Sequence, residues 1–96
     1  PRVTKAPRIS GRVRAGRRLS ADPGSWSGPP KSYRYQWLRC NARGGSCLRI
    51  HHATRLKYRL TSLDAQHRLR VRVTAVDAAG RRTASSRATP RVPATH

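Results

Sequence analysis

Tyr33-Arg34-Tyr35-Gln36-Trp37-Leu38-Arg39-Cys40 is the stretch that decides the fold. Tyr33, Tyr35 and Trp37 recur at period two, with Arg34 and Gln36 between them. A strand sends alternate side chains to opposite faces, so the aromatics share a buried face and the polar residues the other. After a polar loop with adjacent Gly44 and Gly45, Cys47 to Ile50 returns as a partner strand, which predicts a hairpin. Arg55 to Thr61 alternates again, with Leu56, Tyr58 and Leu60 inward and Arg55, Lys57 and Arg59 outward. Arg68 to Val76 repeats the pattern, setting Leu69, Val71 and Val73 against Arg68, Arg70 and Arg72.

Three weaker runs complete the set: Arg8 to Val13, broken by Gly11; Arg17 to Ala21; and Arg82 to Thr89. Between them stand turn signals at Asp22-Pro23-Gly24-Ser25, Gly28-Pro29-Pro30 and Ala78-Ala79-Gly80. Proline presets one dihedral of such a turn and glycine permits the positive one. Ser62 to Gln66 reads as a single helical turn. Seven short runs, one face apolar in the best of them, predict an all-β domain of two antiparallel sheets packed face to face. Its core must come from Val, Leu, Ile, Ala, three Tyr and two Trp, since Phe and Met are absent. Composition divides the 96 residues into a Pro/Thr/Arg linker at 1–7, a domain at 8–92 and a tail at 93–96.

The charge balance is extreme. Twenty-two Lys and Arg, of which only Lys5, Lys31 and Lys57 are Lys, oppose Asp22, Asp64 and Asp77, a formal net charge of +19. Such a surface attracts nucleic acid, teichoic or uronic polymers and acidic lipid headgroups. Codon bias in a high-GC genome and selection for an anionic partner both account for it. No stretch approaches the roughly 18 consecutive apolar residues of a membrane span.

Cys40 and Cys47 face each other across the expected hairpin, near the separation a disulfide requires. A metal set using Cys40, Cys47, His51 and His52 is the competing reading, and free thiols are a third. The Cys spacing does not suit a zinc knuckle, and adjacent His side chains on a strand diverge. Trp37, Tyr35, Tyr58, Leu69, Val71 and Val73 read as core, and Trp26, in a Gly/Ser/Pro loop, as a cap on one end of the sheets. No nucleophile elbow, paired carboxylates or metal-spaced cluster marks a catalytic site, so the expectation is no enzyme, no cofactor and no metal. Arg34, Arg70 and Arg72 should share one outer sheet face, and Arg55, Lys57 and Arg59 the other. Neither ladder shares its face with aromatics, as an RNA-reading sheet would require, because the aromatics point inward. The expected chemistry is unselective electrostatic adhesion. Neutralising six phosphates on duplex DNA would give a log-log salt slope of about −5.

Gly16-x-x-Leu19, Gly24-Ser25-Trp26-Ser27-Gly28, Tyr35-Gln36-Trp37-Leu38-Arg39-Cys40, Cys47 with Ile50, Ala53-Thr54 and Tyr58-x-Leu60-Thr61 follow in order. Asp64, Leu69-Arg70-Val71-Arg72-Val73-Thr74-Ala75 and Ala79-Gly80 complete the series. Over residues 7 to 92 it resembles the immunoglobulin-like repeat of large secreted and surface proteins of actinobacteria. The resemblance implies an immunoglobulin-like or fibronectin-III-like sandwich of about seven strands, non-catalytic, secreted or at the cell surface, with neighbouring modules of a parent chain as partners. No small-molecule substrate and no transmembrane segment are expected. Anionic envelope polymers and glycans are the expected ligands. A nucleic-acid-binding or cell-penetrating basic domain is the alternative. The chain departs from the family in carrying Gln66 where Gly is usual, and in its basicity.

Overall fold

The computed structural model describes residues 2–28 and 30–94. Its strands are β1 (Arg2–Lys5), β2 (Arg8–Gly11), β3 (Arg18–Asp22), β4 (Ser25–Ser27), β5 (Ser32–Cys40), β6 (Leu48–Arg49), β7 (Lys57–Arg59), β8 (Arg68–Asp77) and β9 (Gly80–Ser85). A 3-10 turn, Ser62–Asp64, stands where one helical turn was expected. Every pairing is antiparallel: β1 with β4, β2-β3-β7 in a second sheet and β6-β5-β8-β9 in a third. The domain is all-β.

The strand count is nine among the described residues, and the two beyond expectation are β1 and β4. Most of the expected linker is therefore paired backbone, with Val3 opposite Trp26. Composition hid this, because Pro and Arg are compatible with an exposed edge strand as well as with a linker. Trp26 lies on β4 and not in a loop. It is half-buried against the core, its indole N–H donating to the Pro23 carbonyl at 2.8 Å. Pro1 of that linker, Pro29 of the second turn, and Thr95 and His96 of the tail lie outside the described residues.

One core joins the two larger sheets. Leu19 and Ala21 from β3 meet Trp37 from β5 and Leu69, Val71 and Val73 from β8, with Leu60 and Val92 completing the cluster. Register explains the match, since Trp37 lies opposite Val71, Tyr35 opposite Val73 and Leu19 opposite Tyr58. Trp37 is wholly buried, and its ring stacks on Tyr58 at 5.5 Å between centroids. Tyr35 and Tyr58 are half-buried and pack on the cluster from its margin. Leu56 does not point into it, being 45% exposed. It precedes β7, an edge strand that among the described residues pairs with β3 alone, and no second layer of described residues covers it.

The last run departs most from expectation. β9 ends at Ser85, and the chain then follows the edge of β8 at three residues for every two. Ser86, Thr89 and Val92 donate their amides to the carbonyls of Val71, Leu69 and His67. The Ser86 and Thr89 hydroxyls accept the Val71 and Leu69 amides at 3.0 and 2.9 Å, doing the work of ladder carbonyls. Gln66 holds φ at +71°, the left-handed region where glycine is favoured, and donates its amide to the Val92 carbonyl.

A buried carboxylate ties the layers. Asp64 is fully buried and accepts from Arg39 Nε of β5 at 2.7 Å, from the Tyr58 hydroxyl of β7 at 2.6 Å and from the Thr61 amide at 2.8 Å. Burial pushes the Tyr58 hydroxyl up to about 12, helped by the hydrogen bond to Asp64 and its negative charge, while Arg39 pulls the other way. A phenol raised in the folded state stabilises fully below its ordinary value of 10.0, and that contribution is lost as pH rises through about 12. Unfolding by denaturant across this window should show a loss of stability that Tyr58→Phe reduces. At neutral pH the same variant should cost about 1–2 kcal/mol for the lost charge-assisted hydrogen bond. An identical alkaline profile in the two proteins would mean the Tyr58–Asp64 contact is not made.

Candidate anion-binding faces

The three-stranded sheet turns Arg18 and Ser20 of β3 and Lys57 and Arg59 of β7 away from the core, because Leu19, Ala21 and Tyr58 between them face inward. Arg18 lies directly opposite Arg59, and Ser20 opposite Lys57. The Leu56 carbonyl accepts from Ala21 at 2.8 Å in the same register, so Arg55 follows in line. These residues bound a shallow depression of about 480 Å³ lined by Arg18, Arg55, Leu56, Lys57 and Arg59. All four cationic side chains are exposed, and none has a carboxylate partner among the described residues. Like charges directly across two strands repel and cost stability, a cost that a bound anion removes.

The segment leading into this row is held from the other sheet. The Trp37 amide donates to the Ala53 carbonyl at 2.9 Å, and its indole N–H to the Arg55 carbonyl at 2.8 Å. Gln36 Nε2 donates to the carbonyls of Ile50 and Ala53. The central tryptophan thus fills the core and also sets where the Arg55-Lys57-Arg59 row begins.

The outer face of the four-stranded sheet is different. Arg34 and Arg72 are exposed on it, diagonal neighbours across β5 and β8, where Arg34 faces Thr74 and Gln36 faces Arg72. Arg70 shares the face by register, opposite Leu38, but is not free for ligand. It is half-buried and donates from Nε to the Gly44 carbonyl at 3.2 Å and from Nη1 to Ser86 at 3.4 Å. Arg68 does the same one step along, to Ala42 at 2.8 Å and Thr89 at 3.2 Å. The expected three-arginine ladder is thereby reduced to Arg34 and Arg72. The cause is the 41–46 loop, which folds over this end of the sheet and offers carbonyls to both guanidiniums.

That loop is closed at its base by a disulfide between Cys40 and Cys47. The two cysteines are the next opposed positions in the register that pairs Leu38 with Arg49 and Arg39 with Leu48. With both sulfurs bonded to each other, the four-ligand metal set considered from the sequence is not formed. The His51 and His52 rings lie against each other, centroids 3.8 Å apart and tilted by 54°. No group of three or more His, Cys, Asp or Glu among the described residues is placed to hold a metal. The Asn41 side chain accepts from the amides of Arg43 and Gly45, and Gly44 is buried against the 86–89 segment. A Cβ on Gly44 would lie 3.2 Å from that of Ala88, and its φ of +85° is glycine's own. Leu38 and Cys40, on the outer side by alternation, are buried as a result.

Two functional features escaped the sequence reading. Arg18 belongs to the basic row, which only the β3–β7 register reveals. Arg39 joins Asp64 because it is the fourth member of the Tyr33, Tyr35, Trp37 face, a periodicity that was legible. No helix among the described residues is long and apolar enough to cross a membrane. No family model, no curated protein and no solved structure matches the chain.

Arg70→Ala should destabilise the domain by about 1–2 kcal/mol, because two carbonyls lose their donors. Arg72→Ala should stay within about 0.5 kcal/mol. Thermal unfolding of both variants checks this. Equal effects would place Arg70 at the surface with Arg72.

Proposed function

We propose that this chain is a non-catalytic immunoglobulin-like module of a secreted or surface protein, one that spaces its neighbours and adheres to anionic polymers through its basic faces. The observation that carries the reading is the directly opposed Arg18–Arg59 pair, extended by Lys57 and Arg55, none of which forms an ion pair among the described residues; Asp22, at the Arg55 end of the row, is the one acid on this face. The exposed pair Arg34 and Arg72 adds a weaker patch on the other side.

A shallow face with four cations engages repeated charge and not sequence, because base readout needs an element aimed into a groove. The Cys40–Cys47 disulfide favours an oxidising compartment. The spacer role draws on shape. The molecule measures 48 × 21 × 20 Å. Lys31, which follows β4, bonds to Val76 at one end of β8, and Val92 lies against His67 at the other. A chain entering beside β4 and leaving past Val92 runs the length of β8, a geometry suited to modules in series.

Binding to duplex DNA, heparin, teichoic acid and anionic vesicles across a salt titration tests the proposal. All four should bind and release together, with a slope on DNA near −4 for four neutralised phosphates. Arg55→Glu with Arg59→Glu should flatten that slope by about 2 and leave the fold intact. Retention of one ligand at high salt, with the others released, would replace adhesion by a specific receptor. An unchanged slope in the double variant would move the site off this face.

A further inference from the structure

A groove of about 770 Å³ opens between β2 and the segment that follows β9, lined along one side by Lys5 to Ile9 and Val13 and along the other by Arg87 to Pro90. Its β2 wall is an unfinished sheet edge. β2 pairs with β3 on one side and, among the described residues, with no strand on the other. On the facing wall, Ser86 and Thr89 spend their amides on β8, while the amides of Arg87 and Ala88 make no hydrogen bond among the described residues. Ile9 and Val13 are half-buried against the core and Pro7 is buried, so the interior is apolar. The rim is cationic: Lys5, Arg8 and Arg87 are exposed, and no acidic residue lines the groove.

We propose that this groove is a docking site for an extended acidic peptide segment of a partner protein, which adds as a strand along β2. Main-chain hydrogen bonds to the free edge supply the pairing, as in strand addition generally. Alternate side chains of the peptide then point in opposite directions: apolar ones reach Ile9 and Val13, and acidic ones meet Lys5, Arg8 and Arg87. Charge decides among possible occupants. A second copy would bring another +19 against the same rim, and like charge opposes that contact. Nucleic acid and glycans lack the peptide edge that β2 can pair with, and the flat basic faces suit them better. This site is independent of the adhesion proposed above, since it shares none of Arg18, Arg55, Lys57 or Arg59.

The test uses the full chain and three synthetic decapeptides: alternating Val and Glu, all Glu, and the alternating peptide N-methylated at every second residue to remove one hydrogen-bonding edge. At about 0.3 M salt, where exposed charges are largely screened, the alternating peptide should bind about tenfold or more tighter than decaglutamate. It carries half the charge, so electrostatics alone predicts the reverse. N-methylation on the pairing edge should abolish the advantage. Amide NMR should place the perturbed and newly exchange-protected residues at 8–13 and 86–90, and Arg8→Glu with Arg87→Glu should weaken binding about tenfold without changing the melt. Three results would each overturn the proposal: decaglutamate binding as well as the alternating peptide, N-methylation without effect, or perturbations confined to the face of Arg18, Arg55, Lys57 and Arg59.

Discussion

Asp64 is the only carboxylate among the described residues taken wholly out of solvent, and it accepts at once from Arg39 on β5, Tyr58 on β7 and the Thr61 amide between β7 and β8. A buried charge is tolerated only when its lone pairs are met, because unpaired burial costs several kcal/mol. Meeting them here requires both large sheets to be in place. The same carboxylate closes a capping box with Thr61, whose hydroxyl accepts from Leu63, and this turns the chain from one sheet into the other. Specificity of packing follows: sliding either sheet would strand a negative charge in a core of Leu, Val and Trp.

In a chain of net charge +19, what distinguishes one arginine from another is whether its Nε–H is already used. Arg39 donates it inward to Asp64, and Arg68 and Arg70 donate it to Ala42 and Gly44 of the loop folded over the outer face. They hold the buried carboxylate and the disulfide-closed loop in place. Arg18, Arg34, Arg55, Arg59 and Arg72 make no such bond among the described residues and crowd one another on exposed faces. The repulsion they create is sustained by the core beneath, and an anion on either face relieves it. Fold and the proposed adhesion thus draw on different members of one residue type.

Much of this division was not legible in the sequence. β5 and β8 were, because they are the central strands of their sheet and a two-residue alternation survives only where one face is reliably covered. Leu56 misled because its run lies at a sheet edge, where inward parity no longer guarantees a neighbouring layer. β1 and β4 were hidden by Pro, Gly and Ser, whose turn signals outweighed the single aromatic of Ser25–Ser27. The 86–92 segment advances by three where strands advance by two, so its inward residues Ser86, Thr89 and Val92 match no strand template. Arg70 and Arg72 are equivalent at period two. The carbonyls that separate them come from Gly44 and Ser86, 26 and 16 residues away from Arg70.

The division of the arginines is tested most directly by following their Nε–H resonances in NMR while a heparin oligosaccharide is added. The signals of Arg18, Arg55 and Arg59 should shift first, with Arg34 and Arg72 later. Those of Arg39, Arg68 and Arg70 should be slow to exchange at the outset and stay in place throughout. Early movement of the Arg39, Arg68 or Arg70 signals, or fast exchange of all three before any ligand is present, would contradict the account.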